Sequence, residues 1–186
     1  MEAFSDGILA IIITIMVLGL PTPRGTTPGA LAPLIPVFLS YILSFVNLGI
    51  YWNNHHHLLQ AASHVDGRTL WANLHLLFWL SLFPFATAWM GENNFARWPV
   101  VVYGLILLFA AVAYFILAKT LIALHGKGSV IATALGKDFK GKISVAIYLT
   151  AVALAAVAPW MSCALYVCVA VMWLVPDRRI ERTLAG

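Results

Sequence analysis

Side chains able to do chemistry are sparse in this chain and gather in three places. Phe4-Ser5-Asp6-Gly7 opens an apolar run whose one further polar residue is Thr14. Tyr51-Trp52-Asn53-Asn54-His55-His56-His57 places an indole, two amides and three imidazoles in sequence. Asn73 and His75 then precede Leu82-Phe83-Pro84-Phe85. Hydrolysis would need paired acids or a serine beside a base, and Asp6 is the one acid in the apolar stretches, so no enzyme activity is expected. Neighbouring histidines on a helix point about 100° apart and cannot all hold one ion. The His-Glu-x-x-His pattern that metal sites on helices favour is absent, so neither a metal nor a cofactor is expected. A haem pair using His56 and His75 is likewise not expected, because His64 and His125 fall in loops and no second helix offers a buried histidine at matching depth.

The elements that carry these residues follow from composition. Of 186 residues, 62% are hydrophobic and 10% charged, against about 25% charged in a soluble domain, so a water-soluble fold is excluded. Eleven basic residues against seven acids give a net charge of +4, too few for the basic stripe that nucleic acid requires. Cys163 and Cys168 lie inside an apolar run and read as small packing residues.

A bilayer-crossing helix needs about 20 mostly apolar residues. Six segments qualify: Phe4–Leu20, Leu31–Asn54, Leu70–Met90, Pro99–Leu121, Ile143–Ala158 and Pro159–Val175. The expected fold is therefore all-α, an integral membrane protein with six transmembrane helices in one domain over residues 1–186. Only Ala158-Pro159-Trp160 divides the last two, where Pro and an interfacial Trp favour a tight reversal. Pro84 should kink the third helix. Nine of the eleven basic residues fall on one side if the N-terminus is inside: Arg68, five lysines between Lys119 and Lys142, and Arg178, Arg179 and Arg182. Arg24 and Arg97 fall on the other, so both termini are expected in the cytoplasm. The lysine-rich loop either sets that topology or meets anionic membrane lipid. The first segment lacks the basic flank and cleavage site of a signal peptide and is expected to stay in the protein.

Within the first helix, Ser5 or Asp6 is expected to cap the N-terminus. At about 100° per residue, Phe4, Gly7, Ile8, Ile11, Thr14, Ile15 and Leu18 share one face. That face fits two readings. It could pack in the core, with Thr14 bonded to its own backbone. Alternatively, copies of the helix could surround an axis, stacking Ile11, Ile15 and Leu18 as hydrophobic rings that gate by dewetting and Thr14 as a ring of hydroxyls that replace part of an ion's hydration shell.

The Phe4-Ser5-Asp6-Gly7 opening, the run Ile-Ile-Ile-Thr-Ile-Met-Val-Leu, Trp52 to His57, Asn73 with Leu82-Phe83-Pro84-Phe85, and Trp89-Met90-Gly91-Glu92 together resemble the bacterial members of the lysosomal potassium channel family, transmembrane protein 175. The resemblance extends over all six spans, and Phe-Ser-Asp at the first membrane entry is its most specific element. It implies a passive potassium-selective channel in a bacterial plasma membrane, built as a homotetramer and lacking the Thr-Val-Gly-Tyr-Gly filter, with no cofactor beyond the permeant ion. The first helix would line the pore, with Ile11 as constriction, Ile15 and Leu18 as further rings and Thr14 as selectivity layer. It also implies that Ser5 and Asp6 tie to polar residues on the second and third helices, the candidates being Trp52, Asn53, His56, His57 and Asn73. Met1-Glu2-Ala3 stands where relatives often carry an Arg before the motif. The alternatives are a secondary ion transporter, which would need broken helices around a midplane site, and a non-conducting membrane scaffold.

Overall fold

The computed structural model describes residues 1–126, 128–135 and 138–174, and every regular element among them is helical. The order is α1 (Glu2–Leu18), a 3-10 turn (Pro28–Leu34), α2 (Ile35–Gln60), α3 (Gly67–Ser81), α4 (Phe83–Glu92), α5 (Arg97–His125), the short α6 (Val130–Leu135), α7 (Phe139–Ala155) and α8 (Pro159–Leu174). Three stretches are long and apolar enough to cross a bilayer: Pro28–Gln60, Gly67–Glu92 and Arg97–His125. The helices α1 and α7, at 17 residues each, and α8, at 16, sit at the short end of the spanning range. Val175, Lys127, Lys137, Arg178, Arg179 and Arg182, which enter the expected sixth span and the charge count, lie outside the described residues.

Local sequence explains the boundaries. Asp66 starts α3 by accepting hydrogen bonds from the Thr69 amide at 2.8 Å and the Thr69 hydroxyl at 2.7 Å. Those bonds, the hydroxyl's foremost, hold its carboxyl below the usual carboxylate range. The kink expected at Pro84 is a full break at Leu82, and Pro84 occupies the first turn of α4, where its missing N–H costs least. The reversal expected at Ala158-Pro159-Trp160 is present. There α7 ends at Ala155, α8 begins at Pro159, and the Ser162 hydroxyl donates to the Ala151 carbonyl at 2.7 Å across the hairpin.

The core forms around α5, which packs against α3 on one side and α7 on the other. Its Val100, Tyr103, Leu107, Ala110, Leu117 and Leu121 are buried, a spacing that turns one wide stripe inward. Small residues bring helices together in lipid, where apolar surface alone gives no drive to associate. A Cβ on Gly104 would collide with the Tyr166 ring, whose hydroxyl donates to the Val100 carbonyl at 3.1 Å. Gly91 on α4 allows the same closeness to Val37 and Ser40 on α2. The outside is greasy, with Trp71, Phe78, Phe85, Trp98 and Trp160 all exposed.

Three expectations need correction. Neither Ser5 nor Asp6 caps α1: Met1 stands at the cap position without a side-chain bond, and both polar residues lie within the helix. The chain is already helical from Glu2, which frees both side chains for neighbouring helices. The second span, expected to end at Asn54, continues through the histidine run to Gln60, and His55 is buried. His125 similarly closes α5 rather than lying in a loop.

Candidate functional site

The first helix divides into two faces. Ser5, Leu9, Ile12 and Met16, spaced four, three and four residues apart, turn inward onto α2, α3 and α4. The opposite face is uncovered: Phe4 and Ile11 are each 57% exposed, Ile15 is 51% and Leu18 is 83%. The core-packing reading of this stripe is thereby excluded for Ile11, Ile15 and Leu18 within one subunit. Thr14 is exposed on the same side and its hydroxyl donates to the Ile11 carbonyl at 2.9 Å. A hydroxyl whose proton is engaged by its own helix keeps its oxygen lone pairs available outward.

At the foot of the helix, polar residues tie three helices together. The Asn73 amide on α3 donates to the Ser5 hydroxyl at 3.0 Å, and Ser5 in turn donates to the Met1 carbonyl at 3.2 Å. The Asn73 carbonyl oxygen lies 2.7 Å from His55 Nε2 on α2. With its amide donating to Ser5, Asn73 can only accept from His55, which assigns the Nε2–H tautomer to that ring. Ser5, His55 and Asn73 are all buried. On the exposed side of the same foot, the Trp52 indole donates to an Asp6 carboxylate oxygen at 3.0 Å, and Trp52 stacks on His56 with ring centroids 5.6 Å apart. His56 Nδ1 lies 2.9 Å from a Glu2 carboxylate oxygen, ion-pair distance without the alignment of a hydrogen bond.

Of the residues expected to meet the motif, Trp52 and Asn73 do so directly. His56 instead faces Glu2. His57 meets the edge of the His56 ring, its Nδ1 shielded and without a hydrogen-bond partner among the described residues. Asn53 is exposed and makes no side-chain hydrogen bond among them. His55 is the member that sequence reasoning missed. Its signal was the helical stripe of Ser40, Ser44, Asn47, Leu48, Tyr51 and His55, whose three-and-four spacing puts all six on the inward face of α2. His75 stays apart, accepting from the Trp79 indole at 3.0 Å on the exposed side of α3.

A second polar knot braces α1 farther along. The Ser44 and Thr87 hydroxyls are 2.6 Å apart, Ser44 donates to the Tyr103 hydroxyl at 3.0 Å, and the Thr87 hydroxyl lies 3.8 Å from the Met16 sulfur. Such links let α1 present its outer face at a fixed angle although Ile11, Ile15 and Leu18 on it are half or more exposed.

An all-helical membrane protein whose first helix is anchored by buried polar groups, yet turns a continuous aliphatic face away from its own bundle, has the construction of an ion channel subunit. The model of the family described as the endosomal/lysosomal potassium channel TMEM175 matches residues 1–84. A potassium channel of Chryseobacterium sp. (strain P1-3) is 50% identical over 99% of this chain and 96% of its own length. A potassium channel of Streptomyces collinus is 33% identical over 61% of this chain and 59% of its own. The crystal structure of a lysosomal potassium-selective channel TMEM175 homologue from Chamaesiphon minutus superposes with a TM-score of 0.81 at 28% identity, covering 94% of each chain. The human endosomal/lysosomal proton channel TMEM175 is 38% identical over a shorter stretch, 31% of this chain and 14% of that protein. The chain belongs to the TMEM175 family, which comprises ion channels and not enzymes.

Proposed function

We propose that the chain is one subunit of a passive, potassium-selective channel, and that four copies surround a pore lined by α1. The observation that carries this reading is the uncovered stripe of Ile11, Thr14, Ile15 and Leu18 beside a fully used inner stripe of Leu9, Ile12 and Met16. Around an axis, Ile11 forms the narrow ring, Ile15 and Leu18 stack beyond it, and the Thr14 oxygens meet a partly dehydrated cation. Ser5, Asp6, Trp52, His55 and Asn73 then act as positioning residues that set the angle of α1. His56, His57 and Asn53 border them.

On this reading residues 1–186 form one domain of six spans, α3 and α4 together making the third. The bias of basic residues puts both termini on the cytoplasmic side of a bacterial plasma membrane. A transporter would use the break at Leu82 as a binding site. At that break the Phe83 carbonyl accepts from Thr87 at 2.6 Å and the Leu82 carbonyl from the Ala86 amide at 3.1 Å, so both oxygens are engaged within the protein.

The test is ion flux in proteoliposomes holding only this purified protein, with potassium exchanged in turn for sodium, caesium and protons. The expected result is non-saturating flux down the gradient that prefers potassium. Saturable ion-coupled uptake would indicate a transporter, and no flux a scaffold.

A further inference from the structure

Away from the aliphatic face, the foot of α1 carries a side-chain arrangement that the ion path does not use. Glu2 and Asp6 stand four residues apart on one side of α1, and His56 approaches them from α2. One ligand atom from each lies within 4.8 Å of the others, and His56 Nδ1 is already 2.9 Å from the Glu2 carboxylate. We propose that Glu2, Asp6 and His56 form a binding site for a divalent transition-metal ion, Zn2+ or a metal of similar ligand preference, that clips α1 to α2.

Five features support a metal here rather than an ordinary ion pair. The donor set of two carboxylates and one imidazole suits Zn2+ and its neighbours, whereas Mg2+ and Ca2+ favour oxygen throughout. Bonds of about 2.0–2.2 Å in a tetrahedron set ligand atoms roughly 3.3 Å apart, within reach of the present separations by side-chain rotation alone. His56 Nδ1 is shielded from solvent, faces the Glu2 carboxylate at 2.9 Å and makes no hydrogen bond among the described residues, so it is placed to turn a lone pair toward an ion. The support a metal site needs is also in place: the Trp52 indole fixes one Asp6 oxygen at 3.0 Å, and its ring lies against the His56 imidazole at an interplanar angle of 22°. Glu2 is partly exposed, giving an ion a way in and leaving the fourth position to water.

The i, i+4 pairing that the sequence lacked as His-Glu-x-x-His is thus supplied as Glu2 and Asp6, and the imidazole comes from another helix. A dication there would offset two negative charges at the entry of α1 and reinforce a junction of two helices that already meet through the Trp52–Asp6 bond and the Glu2–His56 contact. The site stands whether or not α1 lines a pore.

The experiment uses the full chain, detergent-solubilised, oligomeric and freed of any histidine tag. Co2+ is titrated while its visible d–d absorption is followed, Zn2+ then displaces it, and calorimetry gives the stoichiometry. The expected result is one Co2+ per subunit with nitrogen and oxygen ligation, displaced by Zn2+, and an affinity lowered about tenfold or more in Glu2→Gln and in His56→Asn. The His64→Asn/His125→Asn variant serves as control, because those rings lie 4.7 Å from each other elsewhere and should leave binding unchanged. Should His56→Asn fail to elute as the wild-type oligomer, Glu2→Gln at its exposed position carries the test. The proposal is overturned by no saturable binding in the wild type, by unchanged affinity in Glu2→Gln, or by loss of the site in the His64/His125 variant.

Discussion

Replacing Asn73 by alanine probes the joint that fixes α1 to the bundle. Its amide donates to Ser5 at 3.0 Å and its carbonyl oxygen accepts from His55 at 2.7 Å, all three residues being buried. Interhelical hydrogen bonds in membranes average about 0.6 kcal/mol and reach about 1.7 kcal/mol, so the two bonds together contribute roughly 1–3 kcal/mol. The larger effect is what remains behind. Ser5 keeps the Met1 carbonyl, but the His55 N–H loses its partner in a ring whose other nitrogen has none among the described residues, at a further cost of about 1–3 kcal/mol. A total loss of about 2–4 kcal/mol follows, allowing for solvent reaching the emptied site. Reversible unfolding in mixed micelles measures it, and a double-mutant cycle of Ser5→Ala with Asn73→Ala isolates the first bond, with an expected coupling near 0.6 kcal/mol. Destabilisation within about 0.5 kcal/mol, as for an ordinary surface substitution, would refute the reasoning. So would a coupling energy of zero.

Other substitutions separate packing from conduction. Ile11→Asn should raise single-channel conductance and weaken potassium selectivity in bilayer recordings, because a polar ring lowers the dewetting barrier. Unchanged current and selectivity would count against a constriction there. Asp6→Ala, which frees the Trp52 indole, should reduce the yield of intact oligomer on size exclusion more than it alters selectivity. Normal oligomers with changed selectivity would contradict this. Gly104→Ala drives a methyl into the Tyr166 ring and should destabilise the α5–α8 contact by about 1–3 kcal/mol in the same micelle assay. Asp66→Ala should lower the apparent Tm at pH 7. The Asp66 carboxyl titrates lower when folded than unfolded, so its contribution is present above the unfolded value and fades as the pH falls through the folded one, and the difference should shrink at pH 3.

Hydropathy made the helical stretches legible within a few residues, and the punctuation by Pro84 and Pro159 appears where proline physics puts it. The ends were less legible, because α2 runs through a histidine triplet that reads as a solvated terminus until its neighbours are known. Three adjacent imidazoles point three ways, and only the tertiary arrangement brings Asn73 of α3 to His55 and Glu2 of α1 to His56. The choice between core and outward face for Ile11 was closed to periodicity for the same reason. Every face of α1 is apolar, so hydrophobic patterning carries no direction, and Ser5 alone marks the inner side.

Cysteines placed at Ile11 and Ile15, with Cys163 and Cys168 replaced by alanine, give the most direct test when a charged methanethiosulfonate is applied during potassium recording. Leu149 on the outer side of α7, 55% exposed, is the control position. Modification at 11 and 15 should change the current while position 149 stays silent. Full current after confirmed modification at Ile11 and Ile15 would mean that potassium does not pass along the first helix.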